Sequence, residues 1–134
     1  MFAENTLGYQ AANVYLNSCF FLNSDLFRTI LCENVKMVQT TNSRTIREDG
    51  IDNVFRIYKE KLFDVTLTVD VIYVNITSNG LEPKLECCVI EKKKGEDGTT
   101  FVAKYVDHTT LSLAYDGEAL KIQNINTVAT KTIL

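Results

Sequence analysis

The residues best placed to do chemistry lie in the stretch Phe101 to Gly117, FVAKYVDHTTLSLAYDG. Its odd positions read Phe101, Ala103, Tyr105, Asp107, Thr109, Leu111 and Leu113. Successive side chains of a strand point to opposite faces, so this register puts one carboxylate on an otherwise apolar stripe. A carboxylate on a buried face must be hydrogen-bonded, protonated or wetted by a pocket, because bare desolvation of a charge is expensive. Asp107 is therefore where a binding or proton-transfer role attaches first. The parity predicts that Phe101, Ala103, Leu111 and Leu113 bury themselves on the inner side and that Asp107 shares their face. The alternative is a structural carboxylate held by a neighbouring hydroxyl, a backbone amide or an arginine.

Other chemistries find less support. His108, the only histidine, takes the opposite parity with Lys104, Val106, Thr110 and Ser112, on what should be the outer face. No His, Cys or carboxylate cluster has zinc-like spacing, so no metal is expected. No cofactor is expected either: glycine-rich phosphate loops are absent, and Gly95 and Gly98 sit in an acidic turn. Cys19, Cys32, Cys87 and Cys88 form neither a C-x-x-C pair nor a disulfide framework. They read as small buried hydrophobes in a reducing compartment. A Cys87 or Cys88 nucleophile partnered by His108 is the minor alternative.

The chain has 134 residues, 46% hydrophobic and 23% charged, with a formal net charge of −3. That length suits a single domain, 1–134, with a real core. The negative balance argues against a nucleic-acid partner, which needs a basic stripe. No stretch is apolar and long enough to span a bilayer. The beginning, MFAENTLGYQ, lacks the basic and apolar regions of a signal peptide. The expected setting is cytoplasmic, with no membrane partner.

Positioning of these residues falls to a particular series of elements. From Thr6 to Leu22, Leu7, Ala11, Ala12, Val14, Tyr15, Leu16, Cys19 and Leu22 recur at helical spacing. Asn23-Ser24-Asp25 can cap a second helix that runs to Cys32. Val35 to Thr41 suggests a short strand, and Thr41-Asn42-Ser43-Arg44 a turn. Ile51, Val54, Phe55, Tyr58 and Leu62 mark a third helix from about Asp49, acidic at its start and basic at its end, as the helix dipole favours. Everything later alternates as strand. From Phe63 to Val71 the odd positions are apolar, then Ile72, Val74 and Ile76 take over, a change of parity that a β-bulge produces. Turns are marked by Ser78-Asn79-Gly80, Gly95 to Gly98 and Tyr115-Asp116-Gly117. The expected order is α-α-β-α-β-β-β-β, an α+β domain whose helices cover one face of a curved antiparallel sheet.

This order, together with "LNSDLFRTIL", "REDGIDNVFRIYKEKLF" and "YVDHTTLSLAYDGEALKIQ", resembles the nuclear transport factor 2-like superfamily, with its SnoaL-like and ketosteroid-isomerase-like members. The resemblance covers nearly the whole chain. It implies a cystatin-like cone: a strongly curved sheet wrapped around three N-terminal helices, with a pocket at the open end and a dimer formed through the outer sheet face. In isomerase-like members an acidic residue on the corresponding strand projects into the pocket, where an apolar site keeps it protonated to support an oxyanion. Asp107 looks like that residue. The family's proton-abstracting aspartate corresponds to a position near Gln39 or Thr40, neither of them a carboxylate. The helix-one tyrosine of the oxyanion hole aligns nearer Asn17 than Tyr15, unless the first helix is longer here. Lacking its base, the chain does not read as a ketosteroid isomerase.

The expected pocket set is Tyr15, Asn17, Thr40, Phe55, Tyr58, Tyr105 and Asp107, with the aromatic members read as core that also supplies pocket wall. The leading functional expectation is a binding domain for a small apolar molecule. A cyclase, dehydratase or isomerase using Asp107 is the second, and requires a partner base. A dimeric protein-interaction scaffold is the third.

Overall fold

The computed structural model describes residues 2–21, 24–62 and 64–134. The packing expected of Cys19, Leu22, Leu62 and Phe63 lies outside the residues and side chains so described. The elements are α1 (Phe2–Phe21), α2 (Ser24–Ile30), β1 (Leu31–Thr41), β2 (Arg44–Asp49), α3 (Ile51–Leu62), β3 (Leu67–Thr77), β4 (Lys84–Lys94), β5 (Thr100–Asp116) and β6 (Ala119–Ile133). Six strands form one sheet in the order β2-β1-β6-β5-β4-β3. The pairing of β1 with β6 is parallel and every other pairing is antiparallel. Residues 65–74 and 101–113, where a helix would contradict the resemblance, contain none.

Several boundaries and one element depart from the sequence reading, and the third helix starts at Ile51 with Asp49 ending β2. The first helix begins at Phe2 rather than Thr6. The second ends at Ile30, and Leu31 and Cys32 belong to β1, where Leu31 is wholly buried in the core. The added element is β2, RTIRED, a mostly exposed edge strand with no apolar alternation to reveal it. It exists because Asn42 turns the chain with φ 53°, a conformation Asn tolerates in two-residue hairpins. The Asn42 side chain also accepts from Lys131 N–H at 3.0 Å, tying the hairpin to β6.

The expected bulge in β3 is present: the register with β4 shifts between Val71 and Tyr73. A second shift, between Ser112 and Leu113, leaves Gln123 of β6 as the extra residue and lets both Ile125 and Ile122 face inward beside Leu111 and Leu113. Such bulges bend the strand and raise its twist, which suits a curved sheet around helices. Pro83 precedes β4, where its missing N–H breaks no ladder, and its carbonyl accepts from Leu111 N–H at 3.1 Å.

The helices pack on the inner face of this sheet. Ala12 and Tyr15 of α1, Phe27 of α2 and Val54 of α3 join Val35, Met37, Leu111, Ile122 and Ile125 in one buried cluster. Phe27 is wholly buried and meets Tyr15 and Phe55 edge-on, with ring centroids 6.3 and 5.6 Å apart. Truncating it to alanine should cost about 3–5 kcal/mol. Gly50 anchors α3: at φ 89° its N–H reaches the Val35 carbonyl (2.7 Å) while its own carbonyl starts the helix by accepting from Val54 N–H (3.0 Å). The N-terminal half of α1 is held to the turn before β4. There the Asn5 side chain accepts from Gly80 N–H at 2.6 Å, and a Cβ on Gly8 would stand 2.3 Å from the Gly80 carbonyl oxygen. Among the described residues, no helix is long and apolar enough to cross a membrane.

Candidate functional site

Between the helices and the inner face of the sheet lies a cavity of about 160 Å³. Its roof is Tyr15 and Leu16 of α1 with Ile57 and Tyr58 of α3. Each helix contributes two adjacent residues at the edge of the side that packs over the sheet. One wall comes from β3 and β4, through Val69, Leu85, Cys87, Val89 and Glu91. Alternation along β4 dictates that set, since inward residues recur every second position. The other wall is Asp107 and Thr109 of β5, Thr127 of β6 and Gln39 of β1.

The polar atoms are organised. The Tyr15 and Tyr58 hydroxyls hydrogen-bond to each other across the roof, with their rings edge to face at 6.2 Å. Thr109 and Thr127 are buried, and their hydroxyls lie 2.8 Å apart. Asp107 is half-buried opposite Cys87, its register partner on β4. Glu91 is buried at 7% exposure and stands opposite Val69 of β3. Two carboxyl groups and two phenols thus line one largely apolar chamber. Among the described residues no group of three His, Cys, Asp or Glu side chains is placed to hold a metal ion. The arrangement can bind a small molecule by its apolar surface, orient it through hydroxyl and carboxyl groups, and hold or move a proton between oxygen atoms.

Of the residues singled out from sequence, the cavity brings together Tyr15, Tyr58 and Asp107. Tyr15 reaches the roof because it shares the sheet-facing side of α1 with Ala12, whereas Asn17 lies on the exposed side. Thr40 points away from the lining and bonds to Thr45 of β2 (3.2 Å), because its neighbour Gln39 takes the inward position. Phe55 packs on Phe27, outside the lining. Tyr105 is half-buried with the Lys131 ammonium 5.7 Å from its ring centre, and it too is outside the lining. Phe101, expected inside, is 61% exposed at the start of β5. His108 lies on the outer face, 3.5 Å from Glu86, so it is across the sheet from Cys87 and the cavity. Glu91 was the main omission. The parity of Leu85, Cys87 and Val89 extends to it, but the lysine run that follows makes this end of the strand look like a solvated turn.

No family model matches the chain, and no curated protein matches it in sequence. Solved structures do match it. A nuclear transport factor 2-like protein from Burkholderia xenovorans is 10% identical, with a TM-score of 0.68 over 95% of this chain and 89% of that one. A protein from Jannaschia classed with the SnoaL-like polyketide cyclases is 16% identical, with a TM-score of 0.61 over 90% of this chain and 85% of that one. An LEH-like epoxide hydrolase from M. tuberculosis is 14% identical, with a TM-score of 0.64 over 92% and 83%. These likenesses establish the fold: the chain has the nuclear transport factor 2-like, cystatin-like α+β architecture.

Proposed function

We propose that this chain is a small-molecule-binding domain whose ligand occupies the cavity between α1, α3 and the sheet. The observation that carries this reading is that Asp107, Glu91 and the Tyr15–Tyr58 hydroxyl pair line one chamber, with Thr109, Thr127 and Gln39 on one side and mostly aliphatic side chains elsewhere. Apolar pockets with a few convergent polar groups are the usual form of ligand sites. A core built for stability alone would replace buried carboxyls by hydrocarbon, which often stabilises. A cytoplasmic setting belongs to the same proposal and suits the free thiols of Cys32, Cys87 and Cys88. The outer sheet face, with Val102, Val106 and the 53%-exposed Val128 among polar neighbours, is proposed as a two-fold dimer contact.

Cyclohexanone is a suitable first probe, being apolar and carrying one hydrogen-bond acceptor. At ten times its Kd it should stabilise the fold by about 1.4 kcal/mol, raising Tm by roughly 4–6 °C for a domain of this size. Val89→Phe projects a ring from the β4 wall into the cavity and should abolish the shift. An unchanged Tm at saturating probe, or an equal shift in Val89→Phe, would contradict the reading.

A second reading, an enzyme of the isomerase or cyclase kind, gains from one specific observation. Glu91 shares the chamber with Asp107 and supplies the second carboxyl that proton transfer requires. Two neighbours also carry enzyme names, a polyketide cyclase and an epoxide hydrolase. Exchange of the α-hydrogens of cyclohexanone in heavy water, followed by NMR, tests this reading. Acceleration over buffer that is lost in Glu91→Gln supports it, and an exchange rate equal to buffer removes it.

A further inference from the structure

The cavity is divided chemically, and the division specifies a ligand. Resting on the binding reading above, we propose that the site takes a ring-sized molecule with hydroxyl groups along one edge, read by Thr109, Thr127 and Gln39. The ligand's other edge is apolar and lies against Leu85, Val89 and Val69.

The strand register carries the inference. Gln39 of β1 is the Cα partner of Thr127 on β6, and Thr127 is the partner of Thr109 on β5. Three polar side chains therefore stand in one row across three neighbouring strands, about 4.8 Å from strand to strand. Asp107 continues the polar wall two residues along β5, about 6.7 Å away. The adjacent inward row in the other direction is Met37, Ile125 and Leu111, also register partners, and these are 2%, 1% and 0% exposed. The sheet changes from hydrocarbon to hydrogen-bonding groups where the cavity begins. The neighbouring strand β4 ends that row with Leu85, the register partner of Thr109, and its inward side remains mostly aliphatic up to Glu91.

The inventory of the row decides which polar group it suits. The bond between the threonines uses one O–H and one lone pair, which leaves the pair one O–H donor and three lone pairs. Gln39 adds two N–H donors and a carbonyl acceptor. The row thus offers both donors and acceptors. A hydroxyl both donates and accepts, so it can use neighbouring members of the row. A carboxylate only accepts and would also meet Asp107, and an ammonium only donates. The size is set by the volume: about 160 Å³ is close to the roughly 150 Å³ of a cavity known to admit benzene. Sites that hydrogen-bond a hydroxyl can reject the analogue lacking it strongly, because their own buried groups are then left unpaired.

Resorcinol and toluene separate the ideas, titrated into the 134-residue chain by protein-observed NMR. Resorcinol should bind at least about tenfold more tightly than toluene. The preference should vanish in Thr109→Val/Thr127→Val, a pair of isosteric changes that removes both partners of one bond and so spares the fold. Gln39→Met, a single change, should halve the preference or more and serves if the double variant does not fold. Equal or tighter binding of toluene, tighter binding of benzoate, or a preference that survives both variants would overturn the hydroxyl-edge proposal while leaving the pocket intact. Binding of none of the three compounds would overturn the pocket and the proposal together.

Discussion

Replacing Gly8 with alanine sets helix propensity against a single backbone contact. In an isolated helix the change is favourable by about 1 kcal/mol. Here the new Cβ would lie 2.3 Å from the Gly80 carbonyl oxygen, whereas ordinary contact begins near 3.4 Å. Helix and turn must separate by about 1 Å. That movement stretches the 2.6 Å bond from Gly80 N–H to Asn5, worth about 1 kcal/mol, and repacks the contact at a further 1–3 kcal/mol or so. After subtracting propensity, a net loss of about 1–3 kcal/mol is expected, or roughly 4–12 °C in Tm. Because α1 carries Tyr15 and Leu16 in the cavity roof, ligand affinity should fall as well. Urea denaturation measures the effect, with Asn13→Ala as the control: an exposed position on the same helix, where alanine should gain about 0.5 kcal/mol. If Gly8→Ala stabilises as Asn13→Ala does, α1 is not clamped to that turn.

Tyr15→Phe and Tyr58→Phe each remove the same roof hydrogen bond, so the double variant should lose about 1 kcal/mol less than the sum of the singles; strict additivity in a denaturant cycle would show that the hydroxyls are not coupled. Acid stability should depend on two turn carboxylates. Asp64 is held below its ordinary 3.8 first by the Thr66 hydroxyl and then by the Thr66 N–H, and Asp97 chiefly by the Thr99 N–H. Lowered folded values mean that their contribution is present above pH 3.8 and is lost as pH falls through the folded values. Stability of Asp64→Asn/Asp97→Asn should therefore fall less steeply below pH 3.8 than wild type, and parallel curves would assign the loss elsewhere. Sedimentation at tens of micromolar, a working range for specific dimers, should show a dimer that Val106→Lys converts to monomer; a wild-type monomer would reject the outer-face contact.

What could be read from the sequence follows from how each element is stabilised. The helix α3 and strands β3 to β6 are amphipathic, so burial wrote their period into the chain, including the bulge at Val71. The edge strand β2 buries almost nothing and is held by ladder bonds and by Asn42, which leave no period to find. Parity points Asp107 to the inner face, where it lines the cavity, but it does not hold at Phe101, which is 61% exposed at the start of β5. For Asn17 and Thr40 the error was one of phase. Turning α1 or β1 by a residue or two exchanges Tyr15 for Asn17 and Gln39 for Thr40, and only three-dimensional packing fixes that phase. Glu91 and the Thr109–Thr127 pair lie within legible strands, yet their meeting depends on register between strands, which a single sequence does not state.

The occupied cavity is tested most directly by an amide-resolved NMR titration with cyclohexanone. Saturable shifts are expected at Leu16, Ile57, Val89, Thr109 and Thr127, around one chamber, and should disappear in Val89→Phe. Shifts confined to the outer-face residues Val106, His108 and Val128, or none that saturate, would contradict a ligand site between the helices and the sheet.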